Sequence, residues 1–242
     1  MKEFFKVKTL DDALACRKHF ARMPTEDVPL SEAVDRILAN DIESDIDLPD
    51  FARSTMDGFA VMGASTFGAS EANPAYLEVK GTVEMGESPD LRVGPGEAVR
   101  IATGGMLPAG ADSVVMVEHT AAIDDRTIEV YRSVAPGQNR VAVGEDLRRG
   151  ETVLTGGCRI RPQEGGLLAA LGRQTVTVVQ RPKIGILSTG DEIVPVEATP
   201  GPGEIRDINS HTLSGLVRRS GATAVSFGIV PDDHESLRAR CS

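Results

Sequence analysis

The residues able to do chemistry in this chain fall into four short clusters and one further pair of acids. In LPDFARSTMDGFAV, Leu48 to Val61, the hydroxyls of Ser54 and Thr55 stand close to Asp57 and Gly58, with apolar residues on both flanks. A turn needs only a Gly or an Asp. Two added hydroxyls suggest polar groups held for a ligand, and a capped turn is the plain alternative. RIATGGMLPAGADSVVMVE, Arg100 to Glu118, leads a strand-like run into Thr103-Gly104-Gly105. Such a turn lets backbone N–H groups approach an anion, or simply reverses the chain. GEDLRRG, Gly144 to Gly150, sets Glu145 and Asp146 beside Arg148 and Arg149, which suits Mg²⁺ or a solvated charged turn.

The fourth cluster is ILSTGDEIV, Ile186 to Val194, where an apolar strand ends in Ser188, Thr189 and Gly190, followed by Asp191 and Glu192. Ligands of open α/β sheets bind at the carboxyl ends of strands, so position marks this cluster as a site. In FGIVPDDHE a second strand places Asp232 and Asp233 past its own carboxyl end, and all four carboxylates are expected to face one crevice. Asn209 either belongs to that site or caps the helix that it opens, and capping is the expected single role. His19, His119, His211 and His234 have no ligand spacing, and no Ser or Cys sits in a nucleophile motif.

These residues need elements to hold them. Thr9 with Asp11 and Asp12 reads as a helix start, with Leu10, Ala13 and Leu14 on one side. VPLSEAVDRILANDI predicts a second, packed helix from Leu30 to Ile42, since Ala33, Val34, Ile37 and Leu38 recur at helical spacing. From Phe59 to about Val130 the pattern becomes YLEVKGTV, EAVRIAT, DSVVMVEHT and TIEVYRSV, broken by Gly, Pro and Asp turns, as in an all-β module. A helix at EGGLLAALG and a strand at QTVTVVQ form a connector. Beyond Pro182 the order KIGILSTG, NSHTLSGLVRRSG, ATAVSFGIV reads as strand, helix, strand, the grammar of a parallel βαβ unit.

Composition removes several function classes. The 242 residues carry a net charge of −10, no Trp and 4% aromatics, which leaves neither counterion release nor stacking platforms for nucleic acid. Cys16, Cys158 and Cys241 are few and far apart, as for reduced thiols in the cytoplasm. Lys2 and the Phe4-Phe5 pair are followed too soon by Asp11 and Asp12 for a signal peptide or membrane span.

In order along nearly the whole chain, PLSEAVDRILANDI, LPDFARSTMDGFAV, RIATGGMLPAGADSVVMVE, GEDLRRG, RPKIGILSTGDEIV and the spaced Asn209 and PDD resemble the molybdopterin molybdenumtransferases, the family that includes the gephyrin E domain. The STGDE and PDD part also resembles adenylyltransferases of the same cofactor pathway and competence-damage-type proteins, and the S-T-M-D-G and T-G-G-M-L-P blocks favour the transferases.

The resemblance implies a multidomain fold. Helices in residues 1–50 and residues 147–180 would form an elongated, dimerising connector. Residues 51–146 would form the all-β module, and 181–242 an incomplete three-layer α/β/α molybdopterin-binding domain. It also implies a homodimer that hydrolyses adenylylated molybdopterin with Mg²⁺, releases AMP and inserts molybdate, in the company of the pathway's adenylyltransferase. Asp57, Thr103 and Asp146 would be catalytic. Ser54, Thr55, Ser188, Thr189, Gly190, Asp191, Glu192, Asp232 and Asp233 would bind the pterin nucleotide, and Asp57, Glu192 and Asp232 the metal. The family continues with a third strand, a Ser-Gly-Gly loop and a small β domain that this sequence does not contain. A chain with only this much of the α/β domain is expected to be a weak catalyst at best. The alternatives are a dimerising scaffold and a general Mg²⁺-dependent phosphohydrolase.

Overall fold

The computed structural model describes residues 8–241, so Lys2 and the Phe4-Phe5 pair lie outside the described residues. The chain is a mixed, sheet-rich α/β protein of two compact units, residues 43–153 and the remainder on either side of them.

The unit of residues 43–153 is built on a six-stranded sheet in the order Ser113–Met116, Gly58–Val61, Glu97–Ile101, Ala75–Thr82, Thr127–Val130 and Thr120–Ala122. All neighbours are antiparallel except Ala75–Thr82 with Glu97–Ile101. Successive side chains leave opposite faces of a strand, and both faces are covered here. Phe59, Val61, Leu77, Ala98, Val115 and Ile128 pack in one core. Ala60, Val83, Val99, Ile101, Leu107 and Val114 pack in the other. Gly58–Val61 is buried at every position, which explains its unbroken apolar run.

In the second unit, helix α1 (Leu10–Ala15) starts at Thr9, whose hydroxyl accepts the Asp12 N–H while Asp12 accepts from the Thr9 N–H. It buries none of its residues. Thr175–Val179 then pairs antiparallel with both Thr25–Pro29 and Ile37–Leu38. Helix α2 (Pro162–Ala170) contributes Leu168 to the core of this unit, with Val28, Ala33, Leu38, Ile160 and Val178.

The helix expected over Leu30 to Ile42 is not formed. A single 3-10 turn at Leu30–Glu32 is followed by the short strand Ile37–Leu38, and Asp35 between them has φ of 66°, outside the helical region. The N–H groups bond across the fold instead of along a helix: Leu30 to Gln174 O at 2.9 Å, Asp35 to Ile160 O at 2.8 Å and Leu38 to Cys158 O at 2.9 Å. Of the supposed stripe, Ala33 and Leu38 are buried while Val34 and Ile37 are exposed. Tertiary pairing has overridden an apparent helical period.

The parallel βαβ unit forms as its grammar indicates. Lys183–Thr189 pairs with Thr223–Val230 in parallel, joined through helix α3 (Asn209–Arg219), and α4 (His234–Cys241) follows. The apolar run is only half covered, with Ile186 buried and Ile184 40% exposed.

Candidate functional site

Two clusters far apart in sequence are stitched together in the β unit. The Ser54 N–H donates to Gly105 O at 2.9 Å, and Ser54 O accepts from the Gly104 N–H at 2.8 Å. One Asp57 carboxylate oxygen accepts both the backbone N–H of Thr103, at 2.7 Å, and its hydroxyl, at 2.9 Å. These bonds, backbone first, hold the Asp57 carboxyl below the usual carboxylate range, so it is ionised throughout the neutral range.

Glycine explains the placement. A Cβ on Gly58 would stand 1.9 Å from Val115 O, so only glycine lets the strand after Asp57 enter the sheet. Gly104, at φ of 84°, supplies the left-handed turn beyond Thr103.

Asp57 lies in a cleft of about 390 Å³ together with Thr82, Glu84 and Arg100. No motif singles out those three, which lie in or just beyond the strands Ala75–Thr82 and Glu97–Ile101. The Ser54 side chain faces inward: it is 2% exposed and its hydroxyl closes a local turn onto Met56 O at 2.5 Å. Thr55 is exposed and anchored through its N–H to Asn139 O. Asp146 stands 4.0 Å from the Arg53 guanidinium, within the turn of residues 144–151, and is not among the residues lining the Asp57 cleft.

At the parallel strand ends a second cleft, about 370 Å³, is lined by Ser188, Thr189, Ile193, Asp207, Asn209 and Leu213. Asp207, missed in the sequence, organises it. This buried carboxylate accepts from the Ser188 hydroxyl at 2.9 Å and the Ser210 N–H at 3.0 Å. Burial pushes its carboxyl up, but the hydrogen bonds from Ser210 and Ser188, with His211 nearby, outweigh that and hold it low. Asp207, not Asn209, thus caps the first turn of α3. The D-x-x-S spacing was the available signal.

The four carboxylates do not act alike. Asp191 accepts the Asp232 N–H at 3.3 Å, joining the two strand ends. Glu192 bends back, with its carboxylate beside Gly190, which has φ of 148°. Asp233 accepts the Ser236 N–H at 2.8 Å and is occupied as the cap of α4. Among the described residues no three His, Cys, Asp or Glu side chains stand together as a metal site.

Fold and clefts define a sheet-rich α/β protein that presents an oriented carboxylate beside a glycine turn and hydroxyls at parallel strand ends. Residues 8–172 match the family described as MoeA N-terminal region (domain I and II), and residues 185–241 match the "Probable molybdopterin binding domain". The chain belongs to the MoeA family. It is similar to the molybdopterin molybdenumtransferase of Bacillus subtilis, 37% identical over 228 residues that cover 93% of this chain and 53% of that one. The Haemophilus influenzae molybdopterin molybdenumtransferase is 36% identical over 229 residues, 93% of this chain and 55% of that one. A solved molybdopterin biosynthesis MoeA protein from Pyrococcus horikoshii superposes with a TM-score of 0.84 at 39% identity, covering 98% of this chain and 60% of that one. The chain spans about half the length of the curated relatives it matches.

Proposed function

We propose that this chain serves molybdenum cofactor biosynthesis, supplying the Asp57 cleft and part of the pterin site of an enzyme that inserts molybdate into adenylylated molybdopterin and releases AMP. The observation that carries this reading is the Asp57–Thr103 pair, an ionised carboxylate fixed by two donors at the mouth of a cleft. A carboxylate oriented in this way is suited to a metal-bound phosphoanhydride.

Mg²⁺ is commonly held by one or two carboxylates, with water and substrate phosphates completing its shell, and Asp57, Glu192 and Asp232 are the carboxylates that would offer it such ligands. When bound, the ion would neutralise charge on the phosphoanhydride. The chain's own part is to fix Asp57 through Thr103 and to offer Ser188, Thr189 and Asp191 to the pterin. The fragment Lys183–Val230 is read as the start of an α/β molybdopterin-binding domain. A cytoplasmic homodimer, in which the Asp57 cleft of one subunit serves the strand ends of the other, completes the proposal. The exposed Leu10, Leu14 and Phe20 (74, 56 and 79%) support it as apolar surface that a partner would cover. The pathway's adenylyltransferase is its proposed supplier.

The test exchanges this sequence for the matched part of the Bacillus subtilis transferase and follows AMP release from adenylylated molybdopterin, with ATP as control. Release from the first alone is expected. Release from both would make the site a general phosphohydrolase, and a folded chimera that releases AMP from neither contradicts the reading.

A further inference from the structure

At the end of the parallel strands opposite to Ser188 and Asp232 lies a third cleft, about 270 Å³, that the function above does not use. Four arginines line it, Arg36, Arg159, Arg181 and Arg219, with Ile37 and Pro182 as apolar wall. So many guanidiniums in one small cleft are unexpected in a chain of net charge −10.

Internal pairing accounts for only part of them. Arg159 pairs with Asp35 at 2.9 Å. Arg36, 8% exposed, uses one terminal nitrogen to meet Glu26 and Val179 O, while its Nε–H is buried and has no partner. Arg181 and Arg219 are exposed and make no ion pair among the described residues. The buried, unmet Nε–H of Arg36 calls for a partner, and the two solvated guanidiniums beside it leave the cleft with cationic charge that no carboxylate among the described residues neutralises.

We propose that this cleft binds a small phosphoryl dianion, clamped by Arg181 and Arg219 and backed by Arg36. Planar guanidiniums match phosphate oxygens in pairs, and the cleft has room for a phosphate group alone or with a short carbon chain attached. The site is distinct from the strand-end cleft. The seven residues Lys183–Thr189 separate the two by about 20 Å at the strand rise of roughly 3.3 Å per residue.

The experiment titrates the full chain with inorganic phosphate and, separately, with glycerol 3-phosphate, by calorimetry at constant ionic strength with chloride as control. Saturable binding of phosphate alone assigns the cleft to the free anion, and binding of both assigns it to a phosphoryl group on a larger molecule. Either outcome supports the proposal if R181Q/R219Q, folded by circular dichroism, binds at least about tenfold more weakly. Equal binding by the double variant, equal response to chloride, or no saturation up to about 10 mM overturns it.

Discussion

Asp57 and Thr103 are 46 positions apart, and the two bonds between them are the most specific feature of the β unit. Thr103→Val removes the hydroxyl donor and keeps the backbone one. The Asp57 pKa should then rise yet stay below its ordinary 3.8, as an NMR titration of the carboxyl carbon would read. An unchanged value would show that the hydroxyl does not donate. Gly58→Ala should cost on the order of 1–3 kcal/mol or more in urea unfolding, because a Cβ cannot fit 1.9 Å from Val115 O. Wild-type stability in that variant would disprove the close approach. Of this site, the Asp-Gly pair and the glycine turn were legible as separate signals. Their joining was not, since no local spacing connects residues brought together by sheet pairing, and for the same reason Glu84 and Arg100 left no mark.

Helix α2 carries a charge pair whose pH dependence has a definite sign. Hydrogen bonding from the Arg161 side chain lowers the Glu164 carboxyl from 4.5 to about 2. A depressed folded-state value stabilises above the unfolded one, so this contribution is present above pH 4.5 and lost as pH falls toward about 2. The stability gap between wild type and Glu164→Gln should therefore be level above about pH 5 and close below it in thermal melts. A gap that does not change with pH would contradict the pairing. The βαβ order and α2 could be read from pattern because their partners lie close in sequence. The segment Leu30–Ile42 could not, because Gln174, Ile160 and Cys158 take the bonds that a helix would have made. Four apolar residues at helical spacing also fit a turn and a strand with two positions buried.

Across the whole molecule, core packing is uneven. All buried members of the three hydrophobic cores lie between Val28 and Val178. The residues beyond Arg181 leave Ile205, Ile208, Leu213, Leu216 and Phe227 at least 40% exposed. A buried Val or Leu stabilises by about 1.5–3 kcal/mol, so the later segment holds together with far less. Limited proteolysis should cut first near Arg181 or in the loop of residues 195–204, leaving a resistant piece ending near Gln180. Amides of Ile184 to Leu187 should exchange faster than those of Val114 to Val117, and equal protection would refute the ranking. The central claim, that Asp57 serves chemistry on adenylylated molybdopterin, is tested most directly by Asp57→Asn in the full-length chimera. AMP release should fall at least about a hundredfold while the fold and oligomeric mass are kept, since an amide of equal size cannot carry the charge. Undiminished release from the folded variant would contradict the account.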